Sequence, residues 1–285
     1  MRCETTRVVT TELLGGRVFQ IDDLDESTLV SVGDTALSGP SGPSLDAVGS
    51  VLVAEMDLHG IAIAEPGMAW TRFGTRGSGD GEFMRPAATA FLELARLVVL
   101  DSGNCRLVGM DDITGSGWMT YGHRGRPIPG EPAEGAFADP RGLAVDTSDR
   151  VWVSDPGASR LIRIDALDGS GWTEIALPPA AAVPIPYGIS AHRDGVVLID
   201  AGNARLLIID GDGATSSTLD LADGTWVSPG FVASLGDILV VADVVANELR
   251  LLEPDGRGHT VIASLRGSPP DLTDPLFDSV GGVGS

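Results

Sequence analysis

Six acidic residues are the first candidates for chemistry in this 285-residue chain: Glu12, Glu55, Asp101, Asp155, Asp200 and Asp243. Each closes a short apolar run, RVVTTE, VLVAE, LVVLD, VWVSD, VVLID and LVVAD in turn. A ring of carboxylates could cage a hard cation, which takes about six to eight oxygen ligands. A structural role competes with that one. Arg17, Arg106, Arg160 and Arg205 each stand five residues after an acid, and Asp243 reaches Arg250 over a two-residue insertion. Glu55 faces Gly60 at that offset and is expected to lack a partner. The turns DSGNCR and DAGNAR are hairpin chemistry, because Gly and Asn tolerate positive φ and Asp accepts backbone N–H bonds. Buried acids need a partner or a turn N–H. The acids therefore read as turn caps with ion pairs inside each unit.

These residues recur at intervals of 43 to 54 residues. The two chain ends together complete one further unit, giving a circular period of about 48 residues, the signature of a β-propeller built from short strands. Upstream of each acid lies an aromatic or apolar residue, usually followed three positions later by proline, as in FMRPAATAFLEL and FADPRGLAVDTS. A first strand follows, rich in small residues (Gly42, Ala88, Gly142, Gly188, Gly230 and Gly282), as suits strands crowding a central axis. The apolar run is the second strand, buried on both faces. An arginine opens the third in most units, and segments such as AWTRFG and GWMTYG form the fourth. The final residues FDSVGGVGS supply an innermost strand for the sheet that TRVVTTE continues. Such closure removes open sheet edges.

The expected fold is all-β, a six-bladed propeller of four-stranded antiparallel blades, closed by the C-terminal strand beside the N-terminal ones. The blades span about 277–285 with 1–33, then 37–74, 83–122, 137–177, 183–222 and 226–266 of one domain. Unit two departs most, with HGIAIAEPG in place of the Asn-x-Arg turn, which predicts irregular outer strands there. The strings GSGW at Gly115–Trp118 and Gly169–Trp172 open fourth strands, so each Trp is expected to pack between blades. DGDG at 210–213 lacks the remaining ligands of a calcium loop and reads as a hairpin turn.

The units resemble the NHL repeat family, most clearly FMRPAATAFLELARLVVLDSGNCRLVGMDD and VPIPYGISAHRDGVVLIDAGNARLLIIDGDG. That resemblance implies a propeller with any site at the mouth of the central channel. A resemblance to propeller lactonases would imply Ca²⁺ on innermost-strand oxygens, where this chain offers Asp46, with Asp146 at an outer end. The amidating lyase of the repeat family would imply a His-bound Zn²⁺. His59, His123, His192 and His259 fall on no equivalent innermost positions, and zinc needs three or more convergent ligands. Each is expected to be a surface or loop residue. No metal or cofactor is therefore expected. No G-x-S-x-G elbow, P-loop or G-x-G-x-x-G in a strand–helix context is present.

The formal net charge is −21, and all 19 basic residues are arginine. Such an acid excess disfavours nucleic acid and anionic membrane. No run of 18 apolar residues occurs, and MRCETTRVVTTELL lacks the features of a secretory leader. Cys3 and Cys105 are too few for a disulfide framework, so the expected location is cytoplasmic. Nothing in the sequence sets an oligomeric state. Against this acidic background two loops between units are basic: TRFGTRGSGDGEFMR, with Arg72, Arg76 and Arg85, and YGHRGRPIPGEP, with His123, Arg124 and Arg126. Arg141 and Tyr187 begin neighbouring innermost strands. Arginine suits carboxylate or phosphate recognition. The expected function is thus a scaffold binding a protein segment or small anionic ligand at Arg85, Arg141, Tyr187, His123 and Arg124. The alternative is a metal-independent hydrolase, lyase or cyclase of secondary metabolism at the channel mouth.

Overall fold

Short apolar segments separated by turns can bury both faces only by stacking sheet on sheet, and this chain does so in a ring. The computed structural model describes residues 7–12, 16–23, 30–93, 96–126, 134–221, 226–244, 246, 248–252, 259–264 and 277–282. Side chains are described as far as Leu252, except Glu12 and Ser216. Six four-stranded antiparallel sheets form the six blades of a β-propeller. The second strands Val51–Glu55, Leu97–Asp101, Val151–Asp155 and Gly195–Asp200 are buried at every residue. The ring closes as the repeat predicts. Phe277–Gly282 pairs antiparallel with Arg7–Glu12, setting Val8 opposite Gly282 and Glu12 opposite Phe277.

The small residues of the innermost strands sit where the next blade arrives. A Cβ on Gly142 would lie 2.5 Å from the Tyr187 carbonyl oxygen, and one on Gly188 2.5 Å from that of Gly230. Gly42 combines a φ of +49° with an approach that would put its Cβ 2.2 Å from Ala88 Cα. In units three and four the opening aromatic wedges between blades. Phe83 packs with Leu52 and Ile61 of blade two and with Leu97 and Met110 of blade three. Phe137 does the same between blades three and four. Full burial of such a ring contributes roughly 2–3 kcal/mol. Trp118 closes on Phe73 and Phe83, and Trp172 on Tyr121 and Phe137, as the GSGW strings predict.

Unit two is more regular than its sequence suggests. Its third strand Gly60–Ala64 and fourth strand Thr71–Phe73 hold an unbroken antiparallel register. The GIAIA run buries four of its five residues, so packing replaces the missing turn residues. Two short parallel pairs were not legible: Thr75–Arg76 with Glu82–Phe83, and His123–Arg124 with Ala136–Phe137. Each ties the loop leaving one blade to the segment entering the next. Strand alternation puts these connecting loops on the same face as the hairpins that follow the six acids. That loop face carries the candidate site. Among the described residues no helix is long and apolar enough to cross a membrane.

Candidate functional site

The five acids with described side chains, Glu55, Asp101, Asp155, Asp200 and Asp243, are engaged inside the blades; the side chain of Glu12, and with it the expected pair to Arg17, lies outside the described residues. Asp101 accepts hydrogen bonds from the Met84 N–H (2.7 Å), Asn104 Nδ2 (2.7 Å) and Arg106 Nε (2.8 Å). Asp200 repeats this with the Ile185 N–H, Asn203 and Arg205. Asp155 takes the Ala138 and Asp139 N–H groups and Arg160 Nε. Asp243 takes those of Val227 and Ser228, with Arg250 at 3.9 Å. Asp101 and Asp200 thus clip the strand entering the blade to both the hairpin and the third strand, and Asp155 clips it to the third strand, while Arg250 donates hydrogen bonds to Glu248. Burial pushes the Asp101 carboxyl above its ordinary range, opposed by the bonds from Asn104, Met84 and Arg106. Among the described residues no three His, Cys, Asp or Glu side chains gather as a metal-binding set. Asp46 and Asp146 cap hairpin turns: Asp46 accepts the Val48 and Ser50 N–H groups, and Asp146 those of Ser148 and Arg150.

Glu55 corrects the sequence reading. It has a partner, Arg72 Nε at 2.9 Å, and also accepts the Ser38 N–H. Arg72 sits on the fourth strand and not in the loop, and the extra methylene of Glu carries its carboxylate out to meet it. Of the arginines grouped as loop residues, Arg72 is therefore a blade residue.

The proposed rim residues fall around two hairpin turns, 102–104 and 156–158. Arg85 has a φ of +47°, donates its N–H to His59 Nδ1 and pairs with Asp57 at 3.4 Å. Its neighbour Met84 accepts the Gly103 N–H, while Arg124 donates to the Gly103 carbonyl from the other side. Arg126 donates to the Gly157 carbonyl. Arg141 pairs with Asp139, whose backbone packs against Gly157. Arg124 and Asp139 both act electrostatically on Cys105. Burial is the largest influence on that thiol and pushes its pKa up. Tyr187 adjoins, its carbonyl against Gly142 and its ring edge-on to Phe231 at 5.4 Å. His123, the residue before Arg124, is exposed and lies near Gly135 and Tyr121.

Sequence reasoning missed the apolar half of this face. Val183 (71% exposed), Ile185 (45%) and Val227 (63%) lead into the innermost strands of blades five and six, beside Tyr187 and Phe231. The signal was present in VPIPY, where a loop spends apolar residues that ordinarily go inside. His192 also departs from expectation. It is buried at the end of the innermost strand Pro186–His192, with Nδ1 2.7 Å from Ser234 Oγ.

No family model matches the chain, and no curated protein matches it in sequence. Its likeness to solved structures is in fold. The propeller of a nidogen/laminin complex superposes with a TM-score of 0.72 at 14% identity, covering 97% of each chain. A virginiamycin B lyase from Staphylococcus aureus gives 0.63 at 13% identity over 92% of this chain and 82% of that one. A streptogramin B lyase gives 0.59 at 17% identity over 81% and 70%. At these identities the similarity establishes the propeller alone, a scaffold that among its neighbours includes both a lyase and a protein-binding component.

Proposed function

We propose that this propeller is a binding scaffold that holds a protein segment on its loop face, one that carries carboxylates beside apolar side chains. The carboxylates meet Arg85, Arg124 and Arg141; the apolar groups meet Tyr187, Val183, Ile185 and Val227, and His123 flanks the arginine side. The observation that carries this reading is the continuity of the two halves. Solvent-exposed arginines of blades three and four share the loop face with exposed aliphatics of blades five and six, and the two regions meet where Gly142, next to Arg141, packs on the Tyr187 carbonyl. The arginines' present partners are surface pairs or carbonyls, worth about 0–1 kcal/mol each, so an incoming carboxylate displaces them at little cost. Aligning a guanidinium fork with a carboxylate then adds directional bonds. The resemblance to NHL repeats supports a rigid recognition disk of this kind.

Fluorescence anisotropy with labelled ten-residue peptides tests it. A peptide alternating Glu with Leu and Phe is expected to bind, with affinity falling as salt rises. Val183→Asp and Val227→Asp are expected to weaken it about tenfold each, the scale of losing one buried apolar contact. Equal binding of an all-acidic peptide would reassign the face to small anions. Absence of binding by either peptide would refute the reading.

A further inference from the structure

Away from the loop face, blades one and two leave a cleft of about 340 Å³ between the segment Val30–Asp34 and the turn 65–69. That volume suits a small molecule. Three charges line it: Arg7, Asp34 and Glu65. They do not neutralise each other. Arg7 spends Nε on Asp22 at 2.9 Å, and among the described residues its two terminal nitrogens have no acceptor. Among the described residues Asp34 accepts only the Trp70 N–H, at 3.3 Å on one oxygen, and the Glu65 carboxylate has no partner. Gln20 steadies the Asp22 end of the Arg7 pair. Gly49, at φ +94°, leaves room for the guanidinium: a Cβ there would stand 2.6 Å from Nη1. Beside these groups two apolar side chains, Val30 (52%) and Met68 (61%), are left exposed.

Opposite charges that share a cleft without pairing call for a ligand carrying both signs. A simple anion would satisfy Arg7 but face two carboxylates. A simple cation would leave the guanidinium hydrogens unmet. We propose that this cleft binds a free α-amino acid with an apolar side chain. Its carboxylate takes the terminal nitrogens of Arg7, its ammonium bridges Asp34 and Glu65, and its side chain lies on Val30 and Met68. The site is separate from the loop face and stands or falls independently of it.

Isothermal titration of the full chain with L-leucine, N-acetyl-L-leucine, L-leucinamide and glycine tests this. Leucine is expected to bind saturably. Each blocked derivative, lacking one charge, is expected to bind about tenfold more weakly or worse, as follows from losing a charge-assisted hydrogen bond. Glycine is expected to bind more weakly than leucine. Glu65→Gln and Asp34→Asn alter exposed groups that hold nothing essential in the fold, and each is expected to weaken leucine by a similar factor. Arg7→Gln is expected to abolish binding, with its melting temperature recorded alongside because Asp22 loses a partner. No saturable heat with leucine, equal binding of the blocked derivatives, or unchanged affinity in both acid variants would overturn the proposal.

Discussion

Two sets of ion pairs divide this molecule. In the hairpins, Asp101 is fully buried and Arg106 is 12% exposed; on the loop face, Asp57 and Arg85 are 56% and 57% exposed. Both sets are Arg–carboxylate contacts, and a sequence shows them as equivalent opportunities for chemistry. Burial separates them. An interior pair is bound to its place because breaking it strands a desolvated charge. A surface pair competes evenly with water and is free to exchange for a ligand. The buried acids are therefore fixed in the blades, while the exposed rim arginines are free to exchange partners.

The comparison breaks most visibly at Asp155. Replacing it with Ala takes one of two carboxylates from buried Arg160, leaving Glu174 at 2.8 Å, and removes the acceptor of two backbone N–H groups. The expected loss is about 2–4 kcal/mol in urea unfolding, most of it from the unmet N–H groups. Arg72→Ala sharpens it, since Glu55 is buried but its partner is 39% exposed and water can reach the gap. There the expected loss is about 1–2 kcal/mol, reduced by that screening. A loss equal to that of Asp155→Ala would mean that the exposed partner carries as much as a buried one.

A smaller effect belongs to His192. Burial lowers its pKa below 6.5, with Arg193 pushing the same way and Asp237 opposing. The unfolded chain then takes up a proton more readily than the folded one. His192 contributes stability that is fully present above pH 6.5 and is lost as pH falls through the folded pKa. Unfolding curves at about pH 7.5 and about pH 5.5 should show the wild type weakening on acidification, and His192→Asn should flatten that difference. An identical slope in both proteins would remove His192 as the source.

The repeat made the ring legible because its period depends on groups that tolerate few substitutes: an acid where a strand turns, a small residue where backbones meet, an aromatic between blades. Even the closure could be read, since FDSVGGVGS lacks a second strand and RVVTTE lacks a first. Partner assignments across strands were less legible. Arg72 lies 17 residues from Glu55, and only the register of three strands brings them together. The rim arginines could be named from their loops, but the contacts that organise them, Gly103 and Gly157 carbonyls on hairpins of other strands, have no local signature. The exposed aliphatics were overlooked because apolar residues before a strand ordinarily enter the core, and only the fold reveals that Val183 and Val227 do not.

The central claim is that rim arginines serve recognition and hairpin acids serve stability. Calorimetric titration of the alternating Glu/Leu/Phe peptide into the Arg85→Ala, Arg141→Ala double variant, paired with its melting curve, addresses both halves at once. The account predicts an affinity reduced about tenfold or more with stability within about 0.5 kcal/mol of wild type. Unchanged affinity, or a fall in stability as large as that caused by Asp155→Ala, would contradict it.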